Sequence, residues 1–398
     1  MKILVINSGS SSLKYQLFFM DKSIVLASGL IERIGESKGN INHKAGEKKI
    51  SKENEVRDHT AAIKFMIELL CDPEDGVIKD KSEITAIGHR VVHGGEKFKE
   101  PTLITEEVSH AIYEHEPLAP LHNPANLTGI VACKSFFGEI PQVAVFDTAF
   151  HQTIPPEAFH YAIDNQLYEK HGVRRYGFHG TSHRYVAQHA AEFLEKPIQS
   201  LCLITIHLGN GSSIAAIKNG KSIDTSMGMT PLEGIVMGTR SGDIDPGIIF
   251  YLERQLKKPL NEIEAILNKQ SGLKGLSGTN DMRDLLERKK KGDRKAELAF
   301  LIYAYRIKKY IGAYTAALGK LDAIVFTGGI GENSIDIREE VCKEMKVLGI
   351  EIDENLNKTE SRKERSIHKI ESPVAVLVIP TNEELQIARE TRSVLEKK

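Results

Sequence analysis

The amino-acid sequence predicts an α/β protein in which layered β-sheets carry helices. Short apolar segments typical of strands alternate with longer segments whose apolar residues recur at helical spacing. A strand–turn–strand unit at the start of the chain is echoed later, because ILVINSGSSSLKYQLF and LITIHLGNGSSIAAIK share a Gly-Ser-Ser turn between strands. The length of 398 residues favours about two or three domains. The echo therefore predicts two similar halves.

The first part of the chain is predicted to be mainly β-structure. Strands are predicted at residues 2–6, 13–19, 23–30, 84–92 and 142–146. Residues 60–70 carry apolar side chains at helical spacing and predict a helix. Proline-rich turns follow at residues 117–124 and 155–156, and the second of them is a candidate domain boundary.

The second part of the chain begins with the echoed strand–turn–strand unit at Leu201. The elements predicted after it are helices within residues 246–267 and 281–318, strands at 323–326 and 374–379, and a final helix at 383–396. The charged run at residues 287–294 interrupts the second helix, and we assign it to a solvated helix end or loop. The strand at 323–326 leads into the glycine-rich segment TGGIGENS.

The composition limits the classes of function that the chain can serve. The formal net charge is −1 at pH 7, so we expect no general nucleic-acid or membrane-binding surface. The four cysteines form no Cys-x-x-Cys pair, which predicts reduced thiols rather than a disulfide frame or a zinc site. No apolar run is long enough to span a bilayer, and the first residues lack the pattern of a signal peptide. We therefore expect a cytoplasmic protein.

Three glycine-containing turns are candidates for binding phosphate. They lie at residues 7–12, with Lys14 just beyond, at residues 207–213 and at residues 327–334. Glycine lets the backbone approach a phosphate, and successive N–H groups can surround an anion. A serine-rich hairpin turn without a ligand explains the first one equally well. The third lacks the last glycine of the Rossmann fingerprint, and Ala215 replaces the first glycine in the segment that imitates a Walker A motif.

Cationic side chains beside glycines form the next group of candidates. Arg90, His179 and Arg240 lie in the segments GHRVVHGG, GFHGTSH and MGTRSGD. A lone histidine or arginine in a turn usually has a structural role, and that explanation stays open for each of them. Several together favour phosphoryl transfer, which needs cations around the transferring oxygens. Asp147 ends a strand in FDTAFH, either as a strand-exit cap or as a catalytic acid.

Several segments, taken together and in order, resemble the acetate kinase family: NSGSSSLKY, GHRVVHGG, FDTAFH, RRYGFHGTSH, HLGNGSS, TSMGMTPLEGIVMGTRSGDIDP, FTGGIGENS and PTNEEL. The family belongs to the sugar kinase–heat-shock–actin superfamily. The resemblance therefore implies two similar domains of the actin-like ATPase (ribonuclease H-like) type around a central cleft. It also implies an N-terminal domain of residues 1–149, completed by a C-terminal helix at residues 385–398. The second domain, residues 150–384, would carry most of the nucleotide contacts.

The resemblance further implies a reversible transfer of the γ-phosphoryl group of ATP to acetate, which gives ADP and acetyl phosphate. The implied cofactor is Mg²⁺, with Mn²⁺ as a substitute, and its ligands are Asn7 and Glu383. The implied catalytic residues are Asp147, His179 and Arg240. The implied nucleotide and phosphate contacts are Ser10, Ser12, Lys14, His207, Leu208, Gly209, Asn210, Gly211, Asp281, Met282, Arg283, Gly329, Ile330, Gly331, Glu332 and Asn333. The implied acyl-substrate contacts are Arg90, Val92, Leu121, His122 and Pro231. A homodimer is implied as well.

The chemistry of the acceptor bears on the role of Asp147. A simple carboxylic acid has a pKa of about 4.3, so acetate is already anionic at neutral pH and needs no general base. The difficulty is to bring two anions together. We therefore expect Asp147 to orient Arg90, a metal-bound water or the histidine. We favour direct in-line transfer, with Arg240, His179 and Mg²⁺ dispersing charge, over a phosphoenzyme formed on a glutamate.

Two rival functions remain at this point. An actin- or chaperone-like ATPase would need no clamp for a small acid, so Arg90 and Arg240 discriminate: alanine at both positions should spare the ATP hydrolysis of such a protein. A related kinase could act on propionate or butyrate, because one methylene in an apolar pocket is worth only about 1–3 kcal/mol. Val92 favours acetate, since a smaller residue there would admit a longer chain.

Overall fold

The computed structural model describes residues 1–120 and 122–397. The chain divides into two compact units: unit 1 is Met1–Phe150 with Asn382–Lys398, and unit 2 is His151–Thr381. The domain limits implied by the resemblance, 1–149 with 385–398 and 150–384, stay a proposal. Within the described part of the chain, no helix combines the length and the apolar character that a bilayer span requires.

The strands are β1 Lys2–Gly9, β2 Ser12–Phe19, β3 Ile24–Glu32, β4 Gly39–Ala45, β5 Lys48–Asn54, β6 Ala86–Val91, β7 Thr102–Leu103, β8 Gln142–Phe146, β9 Cys202–Leu208, β10 Ser212–Lys218, β11 Lys221–Thr225, β12 Ala323–Thr327, β13 Arg365–Ser366 and β14 Ala375–Val378. The α-helices are α1 His59–Leu70, α2 Glu106–Glu114, α3 Asn123–Phe137, α4 Pro156–Phe159, α5 Asn165–His171, α6 Gly180–Phe193, α7 Gly247–Leu256, α8 Leu260–Lys269, α9 Gly272–Ser277, α10 Met282–Lys290, α11 Arg294–Leu318, α12 Gly328–Asn333, α13 Ile335–Cys342, α14 Glu354–Lys358 and α15 Glu383–Glu396. Short 3₁₀ segments lie at Lys81–Glu83, Glu116–Leu118, Ala149–Thr153, Ile198–Ser200 and Lys346–Leu348.

Unit 1 is built on an eight-stranded sheet in the order β5-β4-β3-β2-β1-β6-β8-β7. Successive residues of a strand face opposite sides of the sheet, so β1 contributes to two apolar cores. Leu4 and Ile6 pack with residues of α1 and α3 on one face. Ile3 and Val5 pack with residues of α15 on the other face. The last helix of the chain is therefore part of the same unit as the first strand.

Unit 2 is built on a six-stranded sheet in the order β11-β10-β9-β12-β14-β13. The long helix α11 covers one face, where its Phe300 and Tyr303 join Ile204 and Phe326 in the core. Thr205 alternates with its neighbours along β9 and faces the opposite side of the sheet, where it bonds to a residue of α6. Helices thus cover both faces, and β9 is buried along most of its length.

The two sheets share one topology. In unit 1, β1, β2 and β3 pair antiparallel, and β6 and then β8 extend the sheet in parallel from β1. In unit 2, β9, β10 and β11 pair antiparallel, and β12 and then β14 extend the sheet in parallel from β9. β1 and β2 hold the same places in unit 1 as β9 and β10 in unit 2. The α/β fold of the actin-like ATPase type is confirmed, and the sequence echo marks equivalent strands.

The structure adds detail to two predicted segments. The helical material predicted within residues 246–267 forms two helices, α7 and α8, because Lys257 adopts a left-handed backbone (φ 52°) and Pro259 precedes α8. The glycine-rich segment at 327–334 is not an open turn, since α12 begins at Gly328 directly after β12. Gly328 has a φ of 75°, which lets the chain turn from strand to helix without a connecting loop.

Candidate active site

The first candidate phosphate turn is a tight hairpin in unit 1. β1 and β2 pair as far as Gly9 and Ser12, so Ser10 and its neighbour form a two-residue loop with exposed side chains. Asn7 lies on β1 directly across from Lys14 on β2. The residues expected to bind phosphate and metal from this segment therefore lie at one end of one hairpin.

Arg90 and Asp147 form an ion pair at the ends of two neighbouring parallel strands, β6 and β8. Nε of Arg90 lies 3.1 Å from each carboxylate oxygen, and Nη2 lies 2.6 Å from Oδ2. The Asp147 side chain is 2% exposed and that of Arg90 20%. Burial alone would lower the pKa of Arg90, but the carboxylates of Asp147, Glu383 and Glu384 outweigh burial and raise it. Arg90 is therefore a fixed cation.

Two glutamates open α15 beside this ion pair. Oε1 of Glu384 lies 2.5 Å from Nζ of Lys14. Burial and the neighbouring carboxylates of Asp147 and Glu384 raise the pKa of Glu383, although Arg90 and Lys14 act in the opposite direction. A bound cation would stabilise the charged form of a carboxylate in such surroundings.

The donor chemistry fits Mg²⁺. Among residues 1–120 and 122–397, no three His, Cys, Asp or Glu side chains converge to hold a metal ion. Mg²⁺ does not need such a cage, because it usually keeps several waters and takes about one or two carboxylates together with substrate phosphates. Asn7 and Glu383 would supply an amide oxygen and a carboxylate, which are the hard donors that this ion prefers.

The segment that follows β6 is held by two asparagines of α3. Oδ1 of Asn126 accepts from the Val92 N–H at 3.0 Å, and its Nδ2 donates to the Ser8 carbonyl at 2.8 Å. Asn123 accepts from the N–H of His93 at 3.1 Å and donates to its carbonyl at 3.0 Å. The sequence analysis missed both residues. Two asparagines three residues apart in a helix with many apolar residues were the available signal, because a buried amide needs partners.

The remaining residues expected at the acyl site are divided between the units. Val92 is buried, at 7% exposure, and His122 is the half-buried residue that precedes α3. Pro231 belongs to unit 2, where its carbonyl lies 3.5 Å from Nη1 of Arg240. Leu121 lies outside the described residues.

The second candidate phosphate turn joins β9 to β10 in unit 2. The chain reverses over Gly209 to Gly211, and the Asn210 carbonyl accepts from the Gly238 N–H at 3.0 Å. A Cβ atom built on Gly211 would lie 3.3 Å from Cε1 of His179 and 3.5 Å from Nη1 of Arg240. The turn and the two expected catalytic side chains of this unit, His179 and Arg240, are thus in close contact. Burial lowers the pKa of Arg240.

The two histidines of this group lie side by side. The rings of His179 and His207 have centroids 4.6 Å apart and are tilted by 35°. Nδ1 of His207 lies 2.8 Å from Oγ of Ser182, which also lies 2.8 Å from the Thr381 hydroxyl. His179 precedes α6 with a left-handed backbone, at φ 57°, an uncommon conformation for a residue with a side chain. The surrounding structure therefore determines where this ring lies.

The expected adenosine segments occupy helix starts in unit 2. The Asp281 side chain caps α10 and pairs with Arg283 at 3.1 and 2.6 Å, and the hydrogen bonds to Arg283 lower the Asp281 pKa to about 2. Met282 beneath them is buried. Asn280 donates to Oδ1 of Asn210 at 3.2 Å, which connects this segment to the second phosphate turn.

The other adenosine segment is α12 itself, which contains Gly329, Ile330, Gly331, Glu332 and Asn333. Burial raises the pKa of Glu332, whose Oε1 accepts from the Thr381 N–H at 3.2 Å. Nη1 of the buried Arg338 donates to the carbonyls of Gly331 and Glu332 at 2.9 and 3.0 Å. Arg338 thus satisfies the end of α12, and it was missed because IDIREEVC resembles an ordinary solvated helix.

Comparison with known proteins identifies the family of the chain. Residues 2–389 match the sequence model of the Acetokinase family. The chain is 54% identical over 399 residues to the acetate kinase of Halothermothrix orenii, covering 100% of both. It is 55% identical over 400 residues to the acetate kinase of Thermotoga petrophila, covering 100% of this chain and 99% of that one.

Solved structures give the same result. The Porphyromonas gingivalis acetate kinase matches with a TM-score of 0.95 and 49% identity over 99% of each chain. A propionate kinase from Francisella tularensis matches with a TM-score of 0.93 and 46% identity, also over 99% of each chain. With a family match over nearly the whole chain and relatives of this similarity, the protein belongs to the acetokinase family, as the ordered sequence segments indicated.

Proposed function

We propose that this kinase transfers the γ-phosphoryl group of ATP to acetate, reversibly, giving ADP and acetyl phosphate. The observation that carries the proposal is the ion pair of Arg90 with Asp147 beside the start of the segment after β6. The buried Val92 lies two residues after Arg90 in that segment. A guanidinium can bind a carboxylate bidentately, and a neighbouring apolar side chain can receive a methyl group. Formation of ADP that depends on acetate and exceeds the rate with water tests the proposal. Equal rates would favour an ATPase instead.

Asp147 positions Arg90 and does not act as a base, because acetate reaches the enzyme without its proton. Both oxygens of Asp147 accept hydrogen bonds from Arg90, which supports a positioning role. We expect Asp147→Asn to lower kcat/KM for acetate while the pH–rate profile of kcat keeps all its ionisations. Loss of one ionisation with normal metal dependence would assign the base role to Asp147.

Asn7 and Glu383 would hold Mg²⁺. When bound, the ion shields the charge of the phosphoryl oxygens and orients them. The carboxylate-rich surroundings of Glu383 support this assignment. We expect Glu383→Gln to raise the Mg²⁺ concentration needed for half-maximal rate by more than tenfold, while Glu384→Gln, which removes the partner of Lys14, should have a smaller effect.

Direct in-line transfer needs cations and hydrogen-bond donors that stabilise charge on the equatorial oxygens. Arg240 and His179 are assigned this role, and their common approach to Gly211 supports it. Lys14, Ser10 and Ser12 would contact the phosphates, and the Asp281 and α12 segments the adenosine. Inversion at a chiral γ-phosphorus is the expected outcome of a stereochemical experiment. Retention would indicate two transfers and a phosphoenzyme.

Acetate is proposed over longer acids because Val92 is a branched residue with 7% exposure. The similarity to a structure described as a propionate kinase makes this the first point to test. We expect kcat/KM to fall from acetate to propionate to butyrate by up to about 200-fold per methylene. Val92→Ala should reduce this discrimination, and an unchanged ratio would exclude Val92 as its cause.

Two further assignments accompany the activity. We assign the enzyme to the cytoplasm, which ATP use and four cysteines without a disulfide support. We also assign a homodimer, which large exposed apolar side chains on α7 and α11 support. These side chains are Phe250, Tyr251, Leu298, Leu301 and Tyr305.

A further inference from the structure

A chain of hydrogen bonds in unit 2 leads to His179 from the interior of the sheet. Oγ1 of Thr205 lies 2.7 Å from Nδ1 of His183, and Nε2 of His183 lies 2.6 Å from Oγ of Ser213. The Ser213 oxygen lies 3.3 Å from Nδ1 of His179. Thr205, His183 and Ser213 are completely buried, at 0% exposure. Bulk solvent therefore does not help to place the protons of this chain.

The direction of these hydrogen bonds follows from the Thr205 hydroxyl, which forms the inner end of the chain of bonds. A buried hydroxyl proton needs an acceptor, whereas an oxygen loses less when one lone pair stays unused. In the described part of the chain, the Thr205 hydroxyl is bonded to Nδ1 of His183 and to no other group. Nδ1 of His183 must therefore accept. The reverse direction would leave the Thr205 proton buried without a partner.

The state of His183 then determines the next step. Burial, with the neighbouring rings of His151 and His207, lowers the pKa of His183 far below its usual value, so this ring is neutral. A neutral ring that accepts at Nδ1 carries its proton on Nε2 and donates it to Ser213. Ser213 has one proton of its own, and its remaining partner is Nδ1 of His179.

We propose that Thr205, His183 and Ser213 hold His179 in the tautomer that carries its proton on Nε2. The inference deepens the proposed function and rests on it for the role of His179. A Cβ atom on Gly211 would lie 3.5 Å from Nε2 of His179, so the edge that carries this proton faces the second phosphate turn. A donor at this atom is what a transferring phosphoryl group requires.

The relay makes Ser213 and His183 positioning residues. Loss of the Ser213 hydroxyl would remove the donor to Nδ1 of His179, so the form protonated on Nδ1, which presents a lone pair to the phosphate oxygens, would become accessible. Stabilisation of the transition state would fall, while ground-state binding of acetate and nucleotide would change little. The expected signature is a lower kcat at nearly constant KM.

The tautomer is measured directly by NMR of ¹⁵N-histidine-labelled protein, with the His179 signals assigned by their loss in His179→Gln. We expect resting wild-type enzyme to show the Nε2–H form. Ser213→Ala should give a mixture of forms and lower kcat about five- to tenfold, the factor expected for one neutral hydrogen bond. Ser213→Thr, which keeps the hydroxyl, should restore both readouts.

Ser222→Ala is the matched control. Oγ of Ser222 lies 2.8 Å from Nδ1 of His151, so this variant removes a buried serine–histidine bond in the same unit and leaves the relay intact. It should leave the His179 tautomer unchanged. An Nδ1–H form in the wild type, or an unchanged His179 spectrum in Ser213→Ala, would overturn the proposal. If the tautomer shifts but kcat does not, the relay stands and the role assigned to His179 in transfer falls.

Discussion

At the scale of single residues, burial decides which side chains carry charge. Arg90 stays a cation because carboxylates surround it, whereas burial lowers the pKa of His89, His93, His151 and His183 and favours their neutral form. Burial lowers the pKa of His89 to about 4, even though its hydrogen bond to Gln142, at 2.6 Å, acts in the opposite direction. Burial likewise lowers the pKa of His151 to about 4. These values imply a pH-dependent stability.

The pH dependence of stability is predicted from His89. Its pKa is about 4 in the native state and about 6.5 when unfolded, so the unfolded chain binds more protons between these values. Stability therefore falls as pH falls through this window. Between pH 7 and pH 5 the loss should be about 2 kcal/mol for this residue. Urea unfolding of His89→Gln should therefore show a smaller change in unfolding free energy between pH 7 and pH 5 than the wild type does, by about 2 kcal/mol.

His110 provides the matched control, because its side chain is 71% exposed on α2. His110→Gln should leave the pH dependence of the unfolding free energy as it is in the wild type. A His89→Gln variant that keeps the full pH dependence would contradict a neutral buried His89.

At the scale of elements, α3 connects two segments that carry expected site residues. Asn126 bonds both the Ser8 carbonyl, beside Asn7, and the Val92 N–H. One side chain of one helix thus bridges the first phosphate turn and the segment that follows β6. In the described part of the chain, the hydrogen bonds of the Asn123 side chain go to His93, after β6, and to the carbonyl of Ile112 on α2.

Truncating Asn126 should affect both substrates. Asn126→Ala leaves one N–H and one carbonyl unpaired, so we expect a loss of about 2 kcal/mol in stability and higher KM values for acetate and for MgATP. Asn123→Ala should raise KM for acetate alone. Steady-state kinetics gives the KM values of both variants, and thermal unfolding gives their stability. Equal increases in KM for acetate and for MgATP in Asn123→Ala would contradict the prediction.

The contact between α15 and β6 predicts the effect of a glycine substitution. A Cβ atom on Gly88 would lie 2.8 Å from Cγ2 of Ile387 and still closer to Thr391, so we expect Gly88→Ala to destabilise unit 1 by about 1–3 kcal/mol. A Cβ atom on Gly312 of α11 would meet no heavy atom within 4 Å. Gly312→Ala should therefore stabilise by up to about 1 kcal/mol. Urea unfolding distinguishes the two signs.

At the scale of the whole molecule, large exposed apolar side chains on α7 and α11 support the proposed homodimer. Phe250 and Tyr251 of α7 are 55% and 58% exposed, and Tyr305 of α11 is 63% exposed. Large exposed apolar patches often mark interaction surfaces between proteins. The proposed homodimer would bury them.

Assembly is tested by the mass in solution. Light scattering should give twice the chain mass of 44.3 kDa for the wild type and a shift towards the monomer for Tyr305→Glu. Tyr113 is also 58% exposed but lies on α2 of unit 1, so Tyr113→Glu should leave the dimer unchanged. A monomeric wild type, or a dimer equally weakened by both variants, would contradict the assignment.

Much of the fold was predictable because strand and helix periodicity is local. β8 and α15 were predicted with their observed limits, and the echo identified the equivalent hairpins. β4 and β5 were missed because their residues are largely polar and alternate weakly. The break between α7 and α8 was not predicted at a particular residue, although Pro259 was an available signal for it. The left-handed backbone of Lys257 left no such signal, because lysine has no preference for positive φ.

The sequence by itself determined the α/β class, the repeated hairpin and, through its ordered segments, the family. Chemistry of this kind requires particular residue types at particular strand ends, and residue types are what a sequence records. Only the tertiary structure decided which side chains hold these residues in place, such as Asn126, Arg338 and the Thr205–His183–Ser213 relay. Hydrogen bonds between distant segments depend on packing in three dimensions, and a buried polar residue shows its partner only once the chain is folded.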